Sequence, residues 1–237
     1  MKTQENTSEI EVSVIMPCLN KQETLGICIQ KAQNTLKALG IQGEVIVADN
    51  GSTDNSVAIA ERLGARVVHQ KLRGYGAAYL AGLASAKSRF IVIGDSDNTY
   101  DFTDLERFIT PLSKGYDMVI GNRFKGNMSP AAMPWPNRYI GNPILSGLLR
   151  FLFKTQISDS HCGMRSFTKA AYTRMALQTT GMEFASEMVV RAVQEKLKIR
   201  EIPIDYAPRV GESKLNPVRD AWRHIRFLLK ERMKRKS

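Results

Sequence analysis

Short apolar segments alternate with longer segments of helix-forming residues through the first half of the chain. The apolar segments are rich in Val and Ile and predict buried strands, whereas the longer segments are rich in Ala, Leu, Gln, Lys and Glu and predict helices. The predicted strands are residues 12–16, 44–48, 66–68 and 90–93, and the predicted helices are residues 24–39, 55–63 and 77–86. This order predicts an α/β fold with a Rossmann-like, mostly parallel sheet and helices on both faces, where ligands bind beyond the carboxyl ends of the strands.

The remainder of the chain predicts one domain that ends in a separate helix. The 237 residues contain no internal repeat and no low-complexity linker, so we draw one domain over residues 1–216. A basic amphipathic helix is predicted over residues 217–237. A further strand is predicted at residues 118–120, and four prolines in residues 121–145 predict a long functional loop there.

The charge of the chain indicates an anionic partner. The formal net charge is +11, and the segment from residue 219 to residue 237 supplies more than half of it. A nucleic acid, a phosphate-rich small molecule and a membrane surface would each suit such a charge, and composition does not choose among them.

The spacing of the cysteines and the length of the apolar runs indicate the cellular compartment. Cys18, Cys28 and Cys162 form no CxxC pair, which favours a reducing environment over a disulfide framework. Residues 1–11 lack the order of a secretory signal. No apolar run approaches the roughly 18 residues that a membrane span needs. We therefore expect a cytoplasmic protein that does not cross a bilayer.

Two carboxylates follow the fourth predicted strand directly. Asp95 and Asp97 are one residue apart, so extended geometry would turn both toward the same side. Magnesium is typically held by one or two carboxylates together with substrate phosphates, and this pattern predicts such a site. The local spacing alone is equally compatible with a polar loop after a strand.

The second predicted strand also ends in an acid. Asp49 could accept hydrogen bonds from a nucleobase or a ribose, while Asn50, Gly51 and Asp54 fit a turn and a helix start. The segment at residues 73–78 lacks the third glycine of a dinucleotide fingerprint, which disfavours a dehydrogenase.

Four motifs follow one another along the chain. They are Pro17-x-x-Asn20-x-x-Glu23, Asp49-Asn50-Gly51-Ser52-x-Asp54, Gly74-x-Gly76 and Asp95-x-Asp97. Taken in this order, they resemble the motifs of the family 2 glycosyltransferases with the GT-A fold. Three later segments are HCGMR at residues 161–165, MEFASEM at residues 182–188 and RVGESKL at residues 209–215. These segments are similar to those of the dolichyl-phosphate mannose and glucose synthases.

This resemblance implies transfer of a hexose, with inversion, from UDP-glucose or GDP-mannose to a polyprenyl or dolichyl phosphate, supported by Mg²⁺ or Mn²⁺. A lipid phosphate is substantially ionised near neutral pH, since the second pKa of a phosphomonoester is about 6, so it needs little help from a general base. The alternatives are a diacylglycerol lipid or a soluble acceptor. A nucleic-acid-binding protein is suggested by charge alone, and no nucleic-acid motif supports it. The sequence does not predict an oligomeric state.

The resemblance also implies roles for individual residues. Asp95 and Asp97 would hold the metal, and with Arg123 and Arg138 they form the predicted catalytic set. The predicted donor site consists of Pro17, Asn20, Glu23, Asp49, Gly74, Asp95, Arg209, Ser213 and Lys214, and the predicted acceptor site of Arg123, Arg138 and Asn142. Arg123 and Arg138 could instead be solvated surface charges.

Two segments predict contact with lipid. Apolar residues recur at near-helical spacing in residues 128–153, beside Arg138 and Arg150, as in an interfacial segment, although a core segment would show the same spacing. The basic C-terminal helix predicts attachment to an anionic membrane surface, with a helix docked on the body as the alternative. His69, His161 and His224 lack metal-ligand spacing, and no role is assigned to them.

Overall fold

The computed structural model describes residues 10–210 and 217–234, the latter without the side chains of residues 217–220. Its centre is a seven-stranded sheet in the order β3-β2-β1-β4-β6-β5-β7, in which β6 runs antiparallel to both of its neighbours and all other pairs are parallel. The strands are β1 Val12–Cys18, β2 Gly43–Asp49, β3 Arg66–His69, β4 Phe90–Ile93, β5 Met118–Asn122, β6 Arg165–Thr168 and β7 Ile199–Pro203. The five strands predicted from the sequence are confirmed.

Eight helices pack around this sheet in the described residues. They are α1 Leu25–Ala38, α2 Ser56–Arg62, α3 Tyr75–Ser85, α4 Leu105–Ser113, α5 Asn142–Phe153, α6 Lys169–Met175, α7 Phe184–Gln194 and α8 Pro217–Lys234. The first three match the predicted helices. In α1, Leu25, Ile29 and Ala32 fall on one helical face and are fully buried, so helical spacing of apolar residues builds this part of the core.

The prediction of a long loop over residues 121–145 is wrong in its second half. Residues 135–136 already have helical geometry, a π-helical turn follows over Asn137–Gly141, and α5 continues from there. Prolines are tolerated in the first turn of a helix because its N–H groups have no partner inside the helix. Pro136 lies in the first turn of this helical segment and marks its start, whereas Pro143 follows the π-helical turn inside the segment, so neither proline indicates a loop.

The C-terminal helix α8 packs against α5 and α7. Its inner side buries Leu228, His224 and Glu231, and a carboxylate oxygen of Glu231 lies 3.4 Å from NH1 of Arg191 on α7. Its outer side exposes apolar residues. Those residues are Trp222, Leu229 and Met233. The helix is thus docked on the body along one side and keeps an apolar side exposed. In residues 10–210 and 217–234, no helix combines the length and apolarity needed to cross a membrane.

Candidate active site

The carboxyl ends of β1, β2 and β4 meet at one edge of the sheet. Parallel pairing aligns Cys18 with Asp49 and Ile15 with Ile93, so the residues that follow these strands face one another. A cavity of about 410 Å³ opens at this edge, and Asp95 and Asp97 both line it. The sheet therefore places the two carboxylates where a parallel α/β fold binds its ligands.

The carboxylate of Asp95 sits between two tyrosine hydroxyls. Tyr75 and Tyr79 donate hydrogen bonds to its Oδ1 at 3.0 and 3.2 Å. Burial, and then the neighbouring charge of Asp97, raise the pKa of Asp95 to about 6 despite the hydrogen bond from Tyr75. Ionising Asp95 therefore costs free energy unless a cation lies beside it.

Asp97 already has a cationic partner. Thr99 donates to its Oδ1 through the backbone N–H at 3.2 Å and the hydroxyl at 2.6 Å, and Nε of Arg209 lies 2.7 Å from its Oδ2. Burial opposes the charge of Arg209, but the carboxylates of Asp97 and Asp95 outweigh burial and raise its pKa. The pair of acids thus attracts a positive charge.

This pair fits a divalent cation that shares its ligands with a substrate. The described residues contain no group of three or more His, Cys, Asp or Glu side chains placed to hold a metal ion. Asp95 and Asp97 would supply two oxygen ligands, which is the usual protein share of a magnesium site completed by phosphate oxygens and water. The donor set therefore agrees with a metal that binds together with a diphosphate.

The segment around Gly163 lies against Asp95. The N–H of Gly163 donates to the Tyr100 hydroxyl at 2.7 Å, and a Cβ at Gly163 would lie 2.8 Å from Oδ2 of Asp95. Fully buried Arg165 donates to three backbone carbonyls, those of Ser160, Cys162 and Ala185, at 2.8 to 2.9 Å. The HCGMR segment thus packs directly against the carboxylate of Asp95.

Asp49 organises the loop after β2 and does not line the cavity. Its carboxylate accepts the N–H groups of Gly51 and Ser52, and Nδ1 of His69 lies 3.4 Å away. Burial opposes ionisation, but the hydrogen bonds from Ser52 and Gly51 outweigh it and lower the pKa of Asp49. Contact between Asp49 and a nucleoside stays a prediction.

Asn50 and Gly74 form the adjoining wall of the cavity. Oδ1 of Asn50 accepts the N–H of Gly74 at 2.8 Å, which holds the start of α3 against the end of β2. A Cβ at Gly74 would collide with the carbonyl oxygen of Thr180, so only glycine fits this contact.

The other predicted donor residues are spread around the cavity rim. Pro17 and Arg209 line the cavity. Asn20 has a left-handed φ of 55° and accepts the N–H of Thr53 at 2.8 Å, whereas Glu23 is exposed and lies outside the cavity wall. Predicted Ser213 and Lys214 lie outside the described residues.

The predicted acceptor residues are separated in the structure. Arg123 lines the cavity and is 5% exposed. It forms a two-point ion pair with Asp159, in which Nε and Nη2 each lie 2.8 Å from one carboxylate oxygen. It is therefore not a solvated surface charge. Arg138 lies over the ring of Tyr139, and Asn142 contacts Met133; neither lines the cavity that Arg123 lines.

Some cavity residues were not identified from the sequence. They are Lys21, Arg73, Tyr75, His161, Arg223 and His224. Ser186 lies between the two histidines, 3.2 Å from Nε2 of His161 and 2.8 Å from Nδ1 of His224. Burial, and then the charge of His224, keep the pKa of His161 well below its usual value. His161 belongs to the HCGMR motif, which could have indicated it, whereas Arg223 and His224 reach the cavity only because α8 docks on the body.

The comparisons with known proteins agree with this geometry. The profile of the family described as "Glycosyl transferase family 2" matches residues 13–179. The chain belongs to glycosyltransferase family 2. This confirms the resemblance predicted from the strand-end motifs.

Several relatives come from Haloferax volcanii. The chain is 41% identical over 219 residues to the low-salt glycan biosynthesis hexosyltransferase Agl6, a match that covers 92% of this chain and 53% of that protein. The chain thus spans about half the length of that relative. It is also 30% identical over 208 residues to a protein named dolichyl-phosphate hexose transferase, with 87% of each chain covered.

Solved structures confirm the GT-A fold of this family 2 chain. Glucosyl-3-phosphoglycerate synthase from Mycobacterium tuberculosis, crystallised with Mn²⁺, UDP and glucosyl-3-phosphoglycerate, superposes with a TM-score of 0.75 at 19% identity. The match covers 96% of this chain and 81% of the synthase. At this identity the likeness concerns the fold alone.

Proposed function

We propose that this chain carries the catalytic domain of a metal-dependent inverting glycosyltransferase that moves a hexose from a nucleotide diphosphate sugar, UDP-glucose or GDP-mannose, to a polyprenyl or dolichyl phosphate. The observation that carries the proposal is the cavity at the sheet edge, where the acids Asp95 and Asp97 face the cations Arg123 and Arg209. Such a site can hold a metal and several phosphate oxygens together.

The donor half of the proposal rests on the strand-end acids. Asp95 and Asp97 would hold Mg²⁺ or Mn²⁺, which supplies neutralising charge for the diphosphate that leaves. Arg209 already lies at Asp97, so a cation there would free its guanidinium for the diphosphate oxygens. Pro17 and Gly74 line the same cavity and leave room for the nucleotide.

The transfer itself requires positioning more than proton transfer. An oxygen of the acceptor phosphate attacks the anomeric carbon from the face opposite the donor diphosphate, so the new C–O bond forms as the bond to the diphosphate breaks. The nucleotide diphosphate leaves with the electron pair, and inversion follows from the single displacement. Arg123, held in place by Asp159, would bind the acceptor phosphate and offset the repulsion between the two anions.

The proposal of a lipid acceptor rests on the exposed surface of two neighbouring helices. The segment from residue 135 through α5 exposes aromatic and aliphatic side chains, as does α8, which packs against α5, and basic residues lie on both segments. The exposed apolar residues are Trp135, Tyr139, Ile140, Ile144 and Phe151 on the first segment and Trp222, Leu229 and Met233 on α8. Apolar side chains next to cations suit the interface of an anionic membrane, so we propose peripheral attachment at the cytoplasmic face. The relative named dolichyl-phosphate hexose transferase supports the same acceptor class.

The test is a transfer assay with matched carboxylate variants. The protein is incubated with Mn²⁺ or Mg²⁺, a short-chain polyprenyl phosphate and a panel of nucleotide sugars, and products are identified by mass spectrometry. Asp97→Asn removes the proposed metal ligand at nearly constant size, and Asp104→Asn removes an equal charge at an ion pair with Arg107 outside the cavity. We expect a glycosylated lipid phosphate with wild type and Asp104→Asn and none with Asp97→Asn.

Parallel reactions distinguish the alternative acceptors. Diacylglycerol and 3-phosphoglycerate replace the polyprenyl phosphate at the same concentration. Product on either of these, without product on the lipid phosphate, would move the acceptor to the alternative and leave the donor site in place. Binding of no nucleotide sugar in the presence of either metal would contradict the donor site as well.

A further inference from the structure

The C-terminal helix α8 supplies part of the cavity wall. Arg223 and His224 both line the cavity, whereas Trp222, one residue earlier, is 64% exposed on the outer side. Consecutive residues of a helix point about 100° apart, so one turn of α8 faces both the cavity and the outside. A change in the position of α8 would therefore reach the site directly.

The backbone beside Arg223 is shaped to admit its guanidinium. A Cβ at Gly181 would collide with Nη2 and Cζ of Arg223. Gly181 and Met182 both line the cavity, so the partly exposed side chain of Arg223 lies across the main chain at the cavity wall. Any other residue at position 181 would displace it.

Two acids and one histidine hold this part of α8. Glu183 accepts hydrogen bonds from Nε of Arg223 at 2.8 Å and from Nη2 at 3.1 Å, which orients the planar guanidinium. The hydrogen bonds to Glu183 do not use Nη1. His224 binds Ser186 on α7, and Glu231 pairs with Arg191 about two turns further along, so α8 is fixed at the residue after the arginine and again towards its end.

The charge of the cavity identifies the ligand that suits Arg223. The described cavity wall carries five cationic side chains and two acids. The cations are Lys21, Arg73, Arg123, Arg209 and Arg223, and the acids are Asp95 and Asp97. The hydrogen bonds to Glu183 leave Nη1 of Arg223 unused, and further cations line the same cavity. This arrangement suits the oxygens of a phosphate group.

We propose that Arg223 is a phosphate-binding residue of the active site that α8 supplies from outside the strand-end motifs. The proposal rests on the proposed function, because the phosphate would belong either to the donor diphosphate or to the lipid acceptor. Glu183 is a positioning residue for it. Helix α8 would then bind a substrate phosphate with Arg223 on one side and expose Trp222 on the other.

Two charge-matched variants on α8 test this. Arg223→Gln and Arg226→Gln each remove one positive charge from the exposed part of the same helix, but Arg226 does not line the cavity. One arm measures binding of UDP and of GDP with Mn²⁺ by calorimetry. The other measures KM and kcat with a short-chain polyprenyl phosphate.

We expect Arg223→Gln to lose about tenfold or more in one arm, as for loss of a charge-assisted hydrogen bond, while Arg226→Gln stays within about twofold of wild type. Weaker nucleotide binding assigns the donor diphosphate. A higher KM for the lipid phosphate with unchanged nucleotide binding assigns the acceptor. Arg223→Lys should recover part of the loss, because charge is kept and planar geometry is not.

The outcomes separate this inference from the proposed function. Wild-type protein that binds neither nucleotide would overturn both. Wild-type protein that binds nucleotide and transfers sugar, with Arg223→Gln equal to Arg226→Gln in both arms, would overturn only the role of Arg223. Thermal unfolding of all variants shows whether the fold is retained. Glu183→Gln should reproduce a weaker form of the Arg223→Gln defect.

Discussion

The guanidinium of Arg209 lies against the carboxylate of Asp97, with Nε 2.7 Å from Oδ2. In the proposed reaction the same carboxylate holds the metal. A cation of the protein and a metal ion thus compete for one ligand, and binding of metal with the donor would release Arg209 toward the diphosphate. This relationship predicts that one substitution has opposite effects on the affinity for metal and on the rate of transfer.

Replacing Arg209 should tighten metal binding and weaken catalysis. In Arg209→Gln the carboxylate of Asp97 loses its competing cation, so we expect Mn²⁺ alone to bind several-fold more tightly. Transfer should fall by about tenfold or more, because a charge-assisted hydrogen bond to phosphate contributes about 1.5–3 kcal/mol. Calorimetry with Mn²⁺ and the kcat/KM of transfer measure the two effects. Arg107→Gln, which breaks a surface ion pair, is the control, and weaker Mn²⁺ binding in Arg209→Gln would refute the competition.

Metal binding should weaken below the pKa of Asp95. With a pKa of about 6, Asp95 is ionised near neutral pH and protonated at lower pH, where it loses a metal-binding oxygen. We expect Mn²⁺ affinity to be roughly tenfold lower at about pH 5 than at about pH 7, since one pH unit below the pKa leaves about a tenth of the carboxyl ionised. Asp95→Asn should bind Mn²⁺ weakly at both pH values. Equal wild-type affinity at the two would contradict this assignment.

Ionised Asp95 should also destabilise the folded state. A carboxyl whose folded-state pKa is raised from 3.8 to about 6 destabilises the folded state once pH rises through that window, because the charged form is disfavoured there. Asp95→Asn keeps an acceptor for Tyr75 and Tyr79 and removes the charge. We expect its Tm above about pH 6 to exceed that of wild type by a few degrees, with a gain that shrinks toward about pH 4. A gain that grows on acidification would show the opposite sign.

A methyl group at position 163 should disturb the proposed metal site. The Cβ of Gly163→Ala would lie 2.8 Å from Oδ2 of Asp95 and 3.1 Å from the Tyr100 hydroxyl, so one of these groups must move. We expect Mn²⁺ affinity and transfer to fall about tenfold or more, since misplacing a reacting group by about 1 Å can cost about a hundredfold. Gly147→Ala on α5 meets no atom within 4 Å and is the matched control. Normal activity in Gly163→Ala would show that Asp95 is not held by this contact.

Membrane binding should depend on the exposed aromatic residues. Phe151 is 82% exposed on α5 and Trp222 is 64% exposed on α8. We expect Phe151→Ala combined with Trp222→Ala to reduce sedimentation with anionic vesicles about tenfold, because each ring would bury apolar area in the interface. Ile27→Ala, at an exposed position on α1, should leave it unchanged. Equal sedimentation of the double variant and wild type would argue against this surface.

Much of the fold and the acid pair could be predicted because their signals are local. Ile91 and Val92 belong to an uninterrupted apolar strand, and parallel topology alone brings the residues after it, Asp95 and Asp97, to the ligand edge. The antiparallel strand β6 could not be predicted. It has four residues and begins with Arg165, whose burial makes sense only once three carbonyls surround its guanidinium.

The missed part of the site depends on packing between distant elements. Arg223 reaches the cavity because Gly181 leaves space and Glu183 fixes its guanidinium, and no spacing in the sequence indicates that contact. The proline-rich segment was misassigned for a different reason. Prolines signal a loop or a helix start equally well, and only the contacts of α5 with the body distinguish the two.

The most direct test of the account is the mass spectrum of the lipid fraction after incubation of the protein with Mn²⁺, a nucleotide sugar and a short-chain polyprenyl phosphate. The account predicts a lipid phosphate heavier by one hexose residue with wild type and Asp104→Asn, and its absence with Asp97→Asn. An unmodified lipid phosphate with every nucleotide sugar, in protein that binds the nucleotide, would contradict the proposed acceptor. Lipid product that persists in Asp97→Asn would contradict the carboxylate pair at the centre of the site.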